Sequence, residues 1–171
     1  MSIITGTPDP DELFGTDEGD TIDAGDGDDL IHVSPGSDTV DGGSGFDILS
    51  FANSDYLSIS SIDDDERIGA SFDGTLAYVR IYSIEGIIGT AFGDYMLFGD
   101  SHWGDAVSET RDIYLDGADG RDMLQGALGD DVILGGNDSD SIWSSPGSDS
   151  TDGGAGIDWL IFDSAFATHG V

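Results

Sequence analysis

The sequence predicts an all-β fold made of very short strands joined by glycine-rich turns, and three observations carry that prediction. A nine-residue unit recurs in one fixed frame over residues 6–50 and again over 117–161. Within the unit the sixth residue is always Asp, and the eighth is almost always a large aliphatic. Between the two runs, residues 51–88 lose the unit but keep the alternation of apolar and polar residues that a strand needs.

The repeat justifies most of the elements. Written in nines from Gly6, the chain reads GTPDPDELF, GTDEGDTID, AGDGDDLIH, VSPGSDTVD and GGSGFDILS. From Gly117 it reads GADGRDMLQ, GALGDDVIL, GGNDSDSIW, SSPGSDSTD and GGAGIDWLI. Position six gives Asp11, Asp20, Asp29, Asp38 and Asp47, then Asp122, Asp131, Asp140, Asp149 and Asp158. Position eight gives Leu13, Ile22, Ile31, Val40, Leu49, Leu124, Ile133, Ile142 and Leu160, with Thr151 the exception. The last three residues of each unit form a strand whose middle residue points inward. The two runs are copies offset by 111 residues, which superposes SPGSD at 34–38 on SPGSD at 145–149 and Phe51 on Phe162. One partial unit, GTAFGDYML at 89–97, supplies Asp94 and Met96.

Composition narrows the partners. The 171 residues carry 36 acidic side chains against 4 basic ones, a formal net charge of −32, and no cysteine. Such one-signed charge opposes compaction unless cations bind. It argues against nucleic acid and anionic lipid, which would be repelled, and leaves metal cations as the natural partner. Without cysteine there is no disulfide framework or thiolate metal site. No run of 18 apolar residues predicts a membrane helix, and the opening MSIITGTPDPDELFG has neither the basic nor the apolar region of a cleaved signal peptide.

The pattern G-G-x-G-x-D-x-U-x, with U a large aliphatic, resembles the repeats-in-toxin (RTX) family of calcium-binding repeats. That resemblance covers 6–50 and 117–161 well and 89–97 in part. It implies a parallel β-roll in which six residues turn, three form a strand and two units close one coil, with each calcium ion between turns n and n+2 on one side. Asp11, Asp29 and Asp47 then line one side, Asp20 and Asp38 the other; Asp122, Asp140 and Asp158 face Asp131 and Asp149 in the same way. At least six ions are expected. Calcium takes six to eight oxygens, carboxylates and backbone carbonyls among them. Glycines early in the unit let carbonyls converge through backbone conformations closed to other residues: Gly25, Gly43, Gly136 and Gly154 at position two, and Gly27, Gly36, Gly45, Gly120, Gly129, Gly147 and Gly156 at position four. Asp17, Asp26, Asp119 and Asn137 at position three are auxiliary ligands in this reading. Asp9, Glu18 and Asp138 at position four depart from the pattern, as do Thr7, Thr16, Ala118 and Ala127 at position two and Pro35 and Pro146 at position three. Calcium binding should act as folding energy, leaving the repeats largely unfolded without it.

The expected organisation is an RTX block at 1–50, a β-strand insert at 51–88, an irregular roll turn with a loop excursion at 89–116, a second RTX block at 117–161 and a tail at 162–171. In the insert, RIGASFDGTLAYVRI alternates around Asp73-Gly74, a two-residue hairpin signal, with Ile68, Ala70 and Phe72 on one strand and Leu76 and Tyr78 on the other. YLSISSI at 56–62 alternates too. This predicts an antiparallel patch packed on or covering the roll, with Tyr56, Tyr78 and Tyr82 in packing contacts rather than on a binding face. FGDSH at 98–102 is similar to the Gly-Asp-Ser block of a serine-esterase family, but the Asp-x-x-His partner is missing, so Ser101 is not read as a nucleophile. His102 and Trp103 read as loop contacts, and His169 as part of the tail. There is no His-Glu-x-x-His site, and an EF-hand is excluded by its missing position-twelve Glu and flanking helices.

The function expected is that of an extracellular, non-enzymatic calcium-binding protein with a structural role at a surface or in a matrix, self-associating end to end where open roll ends invite another copy. Weak, numerous sites suit millimolar calcium outside cells. The resemblance implies bacterial type I secretion. Only ten residues follow Ile161, short for the usual C-terminal export signal of such proteins, which suggests a fragment or another route. The alternatives are a calcium-dependent carrier segment of a larger secreted enzyme, or an adhesin that binds a glycan through residues 51–88.

Overall fold

The structure is a computed structural model, described here for residues 1–59, 67–98 and 112–162. The described residues form seventeen strands and no helix. The first six are β1 (Ile3–Thr5), β2 (Glu12–Phe14), β3 (Thr21–Asp23), β4 (Leu30–His32), β5 (Thr39–Asp41) and β6 (Ile48–Ser50). The middle holds β7 (Tyr56–Ile59), β8 (Arg67–Phe72), β9 (Thr75–Tyr82), β10 (Gly86–Ile88), β11 (Tyr95–Leu97) and β12 (Tyr114–Asp116). Then come β13 (Met123–Gln125), β14 (Val132–Leu134), β15 (Ser141–Trp143), β16 (Ser150–Asp152) and β17 (Trp159–Ile161).

Successive repeat strands alternate between two sheets, so the chain coils as a parallel β-roll. Sheet A has ten strands in the order β1-β3-β5-β9-β8-β7-β11-β13-β15-β17, and sheet B has seven, β16-β14-β12-β10-β6-β4-β2. Within each repeat run, in-register partners stand 18 positions apart, as with Ile22 and Val40 or Leu124 and Ile142. One coil is therefore two nine-residue units. The position-eight side chains of facing strands fill the interior: Ile31, Val40, Leu49, Leu115 and Leu124 are fully buried. Toward the ends the filling fails, and Leu160 on β17 is 48% exposed.

The insert differs from the expected patch. It is spliced into sheet A rather than laid over it: Thr39–Asp41 pair in parallel with Arg80–Tyr82, β9 pairs antiparallel with β8 and β8 with β7, and Ser58–Ile59 resume parallel pairing with Tyr95–Met96. Three strands thus stand where a regular coil would place one. The hairpin turn falls at Asp73-Gly74, both left-handed with φ of 48° and 72°, as a two-residue turn of this type requires. It sets Phe72 opposite Thr75, so Ala77 faces Ala70 and Val79 faces Ile68. Directly opposed residues share a face, so Ala77 and Val79 go inward with Ile68, Ala70 and Phe72, while Leu76 and Tyr78 point out. Tyr56, Tyr78 and Tyr82 are each more than two-fifths exposed, not packed.

Two stretches outside the repeat frame are also roll strands. Gly86–Ile88 pair with Ile48–Ser50 and Tyr114–Asp116 on either side, and Tyr114–Asp116 pair with Val132–Leu134. Their position-eight residues are Ile87 and Leu115, both buried; position six is Glu85 in one and Ile113 in the other. Residues 113–116 therefore belong to the roll. Ser101, His102, Trp103 and His169 lie outside the described residues.

Candidate metal centres

Every position-six Asp after Asp11 divides its two oxygens between two tasks. Oδ1 accepts the backbone N–H of the position-six residue one coil earlier: Asp11 donates to Asp29 at 2.8 Å, Asp20 to Asp38 at 2.8 Å and Asp29 to Asp47 at 3.0 Å. The second run repeats this, with Asp94 donating to Asp122 at 2.7 Å, Asp122 to Asp140 at 2.9 Å, Asp131 to Asp149 at 3.2 Å and Asp140 to Asp158 at 3.1 Å. Asp suits this task because its carboxylate stays within reach of its own turn. Glu85 does the same with a longer arm, its Oε2 accepting the Asp47 N–H at 3.0 Å.

The other oxygen, Oδ2, points into the turn. In Asp29, Asp38, Asp47, Asp122 and Asp140 it is buried with no hydrogen-bond partner. A buried carboxylate oxygen without a partner is costly. Burial accordingly pushes Asp122 up to about 8, with the neighbouring Asp94, Asp140 and Asp116 charges adding to the rise. It pushes Asp38 and Asp131 up to about 6 and raises Asp47, Asp94 and Asp140 as well. Around these oxygens the backbone leaves a cradle. A Cβ at Gly135 would stand 2.5 Å from both Asp140 Oδ2 and the Gly153 carbonyl oxygen of the next coil, so both border one small space. The matching space beside Gly117 is bordered by Asp122 Oδ2 and the Gly135 carbonyl. Among the described residues no three His, Asp or Glu side chains converge, so the donors of each space are a carboxylate and backbone carbonyls. That is a hard, all-oxygen set, and it fits calcium.

The model of the RTX calcium-binding nonapeptide repeat matches residues 5–49, 116–151 and 125–160, in four copies that together cover just over half of the chain. The chain belongs to the RTX calcium-binding repeat family. No curated protein matches it. The RTX turns are thus those that carry the unpartnered carboxylates, and the protein is a calcium-binding β-roll.

The remaining predicted residues fall into place around these turns. Asp17, Asp26, Asp119 and Asn137 are exposed at position three of their turns. Asn137 donates to Asp119 Oδ1 at 2.6 Å, a coil-to-coil contact across position three. Asp26 and Asn137 lie in isolated bridges to Ser44 and Ala155, so their backbones, too, stack coil on coil. Left-handed backbone occurs at Gly25, Gly43, Gly136 and Gly154, and at Gly27, Gly36, Gly45, Gly120, Gly147 and Gly156; Gly129 is not among them. The need for glycine is plainest at Gly43, where φ is 94° and a Cβ would collide with the Gly25 carbonyl oxygen. Ala118 and Asp138 hold left-handed φ values of 71° and 77° without being glycine. Asp11, Asp149 and Asp158 are half-buried, and Asp20, Asp94 and Asp131 are buried.

Sequence reasoning missed Glu85 as a stand-in for Asp. The available signal was an aliphatic at position eight with Gly opening the next unit two residues later, as in Ile87 before Gly89, Leu115 before Gly117 and Ile4 before Gly6. Glu12 and His32 sit on neighbouring strands of sheet B with His32 Nε2 3.0 Å from Glu12 Oε1, and Phe14 stacks on the His32 ring at 4.5 Å. These are contacts of the outer sheet face.

Proposed function

We propose that this protein is a secreted, non-enzymatic scaffold of a cell surface or extracellular matrix, folded by calcium after export and associating end to end. The observation that carries it is the set of buried, unpartnered Oδ2 atoms. In a chain with net charge −32 a bound cation compensates such groups without their having to be protonated, and calcium sites of modest affinity fill at the millimolar levels found outside cells. End-to-end association draws support from the outermost strands. Ile3 on β1 is 82% exposed and Trp159 on β17 is 66% exposed, and among the described residues these are the two edge strands of sheet A.

The test is circular dichroism during a calcium titration, with magnesium in parallel and light scattering on the folded sample. β signal should rise with calcium and vanish on chelation. Magnesium, which demands a tighter octahedral shell, should restore little. Tertiary order that survives exhaustive EDTA dialysis would refute the calcium reading, and a monomeric mass at millimolar calcium would refute the association.

A second reading is favoured by the hairpin alone. Tyr56, Tyr78 and Tyr82 stand half-exposed on the outer face of β7 and β9, the arrangement of rings on which sugar faces stack. A glycan array on the calcium-loaded protein tests it, and no binding on the array would refute it.

A further inference from the structure

The RTX turns are of two kinds, told apart by position two. In turns 24–29, 42–47, 117–122, 135–140 and 153–158 that residue is left-handed: φ is 105° at Gly25, 94° at Gly43, 71° at Ala118, 104° at Gly136 and 79° at Gly154. Its N–H then turns away from the position-six carboxylate. Asp29, Asp47, Asp122 and Asp140 are left with an unpartnered, buried Oδ2, and Asp158 is the half-buried end member. We call these turns open.

In the other turns the protein closes the space itself. Thr16 donates its N–H to Asp20 Oδ2 at 2.6 Å and its hydroxyl to the same oxygen at 2.8 Å. Thr90 donates its N–H to Asp94 Oδ2 at 2.6 Å and its hydroxyl to Oδ1 at 3.0 Å. Thr7 donates its N–H to Asp11 Oδ2 at 2.5 Å. Each of these threonine hydroxyls also accepts the position-four N–H, the site where an open turn bends again. Ser145 caps Asp149 Oδ2 at 2.8 Å and reaches Asp131 Oδ2 at 3.4 Å. Asp38 is the mixed case. Its Oδ2 makes no hydrogen bond of normal geometry, although the Ser34 backbone N–H lies near enough to favour its charged form. Its turn repeats the SPGSD of the Asp149 turn, with the Ser34 hydroxyl turned instead to the Thr16 carbonyl. Its RTX neighbour on the same edge, turn 15–20, is capped by Thr16, so turn 33–38 has no open RTX turn beside it.

The open turns do not share an edge. Turns 24–29 and 42–47 lead from sheet A to sheet B, whereas 117–122, 135–140 and 153–158 lead from sheet B to sheet A. The 111-residue offset explains it: β15 is the copy of β4, yet β4 lies in sheet B and β15 in sheet A. The spliced middle returns the duplicate half a coil out of phase.

We propose that calcium loads only between adjacent open turns, so that one ion sits on one edge of the first half and two ions on the opposite edge of the second half. The threonine- and serine-capped turns are sealed by protein alone. This rests on calcium as the occupant of the RTX turns. It reduces the expected at least six ions to three and makes position two the residue that decides occupancy.

The test is a count and a map. Native mass spectrometry of the full chain in calcium should give three ions. Anomalous scattering from calcium-grown crystals should place them beside Asp29, Asp122 and Asp140. Asp140→Asn should lower the count and Asp131→Asn should leave it at three. Anomalous density beside Asp20, Asp38, Asp131 or Asp149, or six or more ions, overturns the proposal while leaving calcium-driven folding intact. A chain that binds no calcium overturns both. The wild-type map decides even if a variant fails to fold.

Discussion

Leu124→Ala offers a way to weigh the ions against the core. Leu124 is fully buried, in register between Met96 and Ile142 in sheet A, and truncating such a side chain costs about 3 kcal/mol. If folding and ion uptake are one event, that loss must be made up by more calcium. The midpoint concentration then rises by a factor of exp(ΔΔG/nRT) for n ions. For three ions the factor is about fivefold, and for six it is about twofold, taking roughly 3 kcal/mol as the loss. The assay is circular dichroism against free calcium at fixed temperature, for wild type and variant, with the melting temperature at saturating calcium as a check that stability has fallen. A lowered melting temperature with an unmoved calcium midpoint would refute the coupling of metal to fold.

Other outcomes follow from the same geometry. Burial holds Asp122 up to about 8 and Asp38 and Asp131 at about 6, above the ordinary Asp value of about 4, so their protonated forms favour the fold. In EDTA their contribution is fully present below about pH 4 and lost as pH climbs through 6 to 8. The metal-free chain should show more β signal at pH 4 than at pH 8, and the order should reverse in calcium, whose ligands must be deprotonated. Gly43→Ala forces a Cβ into a left-handed position against the Gly25 carbonyl; strain of at least about 1–2 kcal/mol should weaken the first half, while the fluorescence of Trp143 and Trp159 in the second changes less. Val79→Asp places a carboxylate at a fully buried position of the hairpin; it should lower the melting temperature even at saturating calcium, by about 2 kcal/mol or more in stability.

Much of this architecture could be read from the chain because the position-six Asp and position-eight aliphatic fix both the turn and the inward side chain, so a frame found in sequence becomes a coil in space. The reading failed where one of those two markers changed. Ile113 carries no carboxylate and Glu85 carries a longer one, yet the buried Leu115 and Ile87 keep both segments in the roll, because interior packing and strand pairing tolerate a foreign residue at the turn. The hairpin turn was legible in Asp73-Gly74, but the inward set of β9 was not: the alternation of Leu76 and Tyr78 is as regular as that of Ala77 and Val79, and only the cross-strand register chooses between them. The capped turns looked like weak versions of the consensus. A threonine at position two does not merely lack glycine's freedom; its N–H takes up the Oδ2 that an open turn leaves without a partner.

The spliced hairpin bears on how such a chain can grow. Regular neighbours in the ladder are 18 positions apart, whereas Thr39 pairs with Arg80, 41 positions on. Loop-closure entropy rises only with the logarithm of length, so lengthening that one circuit costs under about 1 kcal/mol. Sheet B passes the same point with its pairing unbroken from Ile48 through Gly86 to Tyr114. Any segment that leaves after β6, pairs with β5 and β11 in sheet A and returns to β10 would be accommodated on these terms, which makes this circuit the natural graft point for new material, a place where recognition elements can be exchanged without rewriting the ion-binding coils on either side.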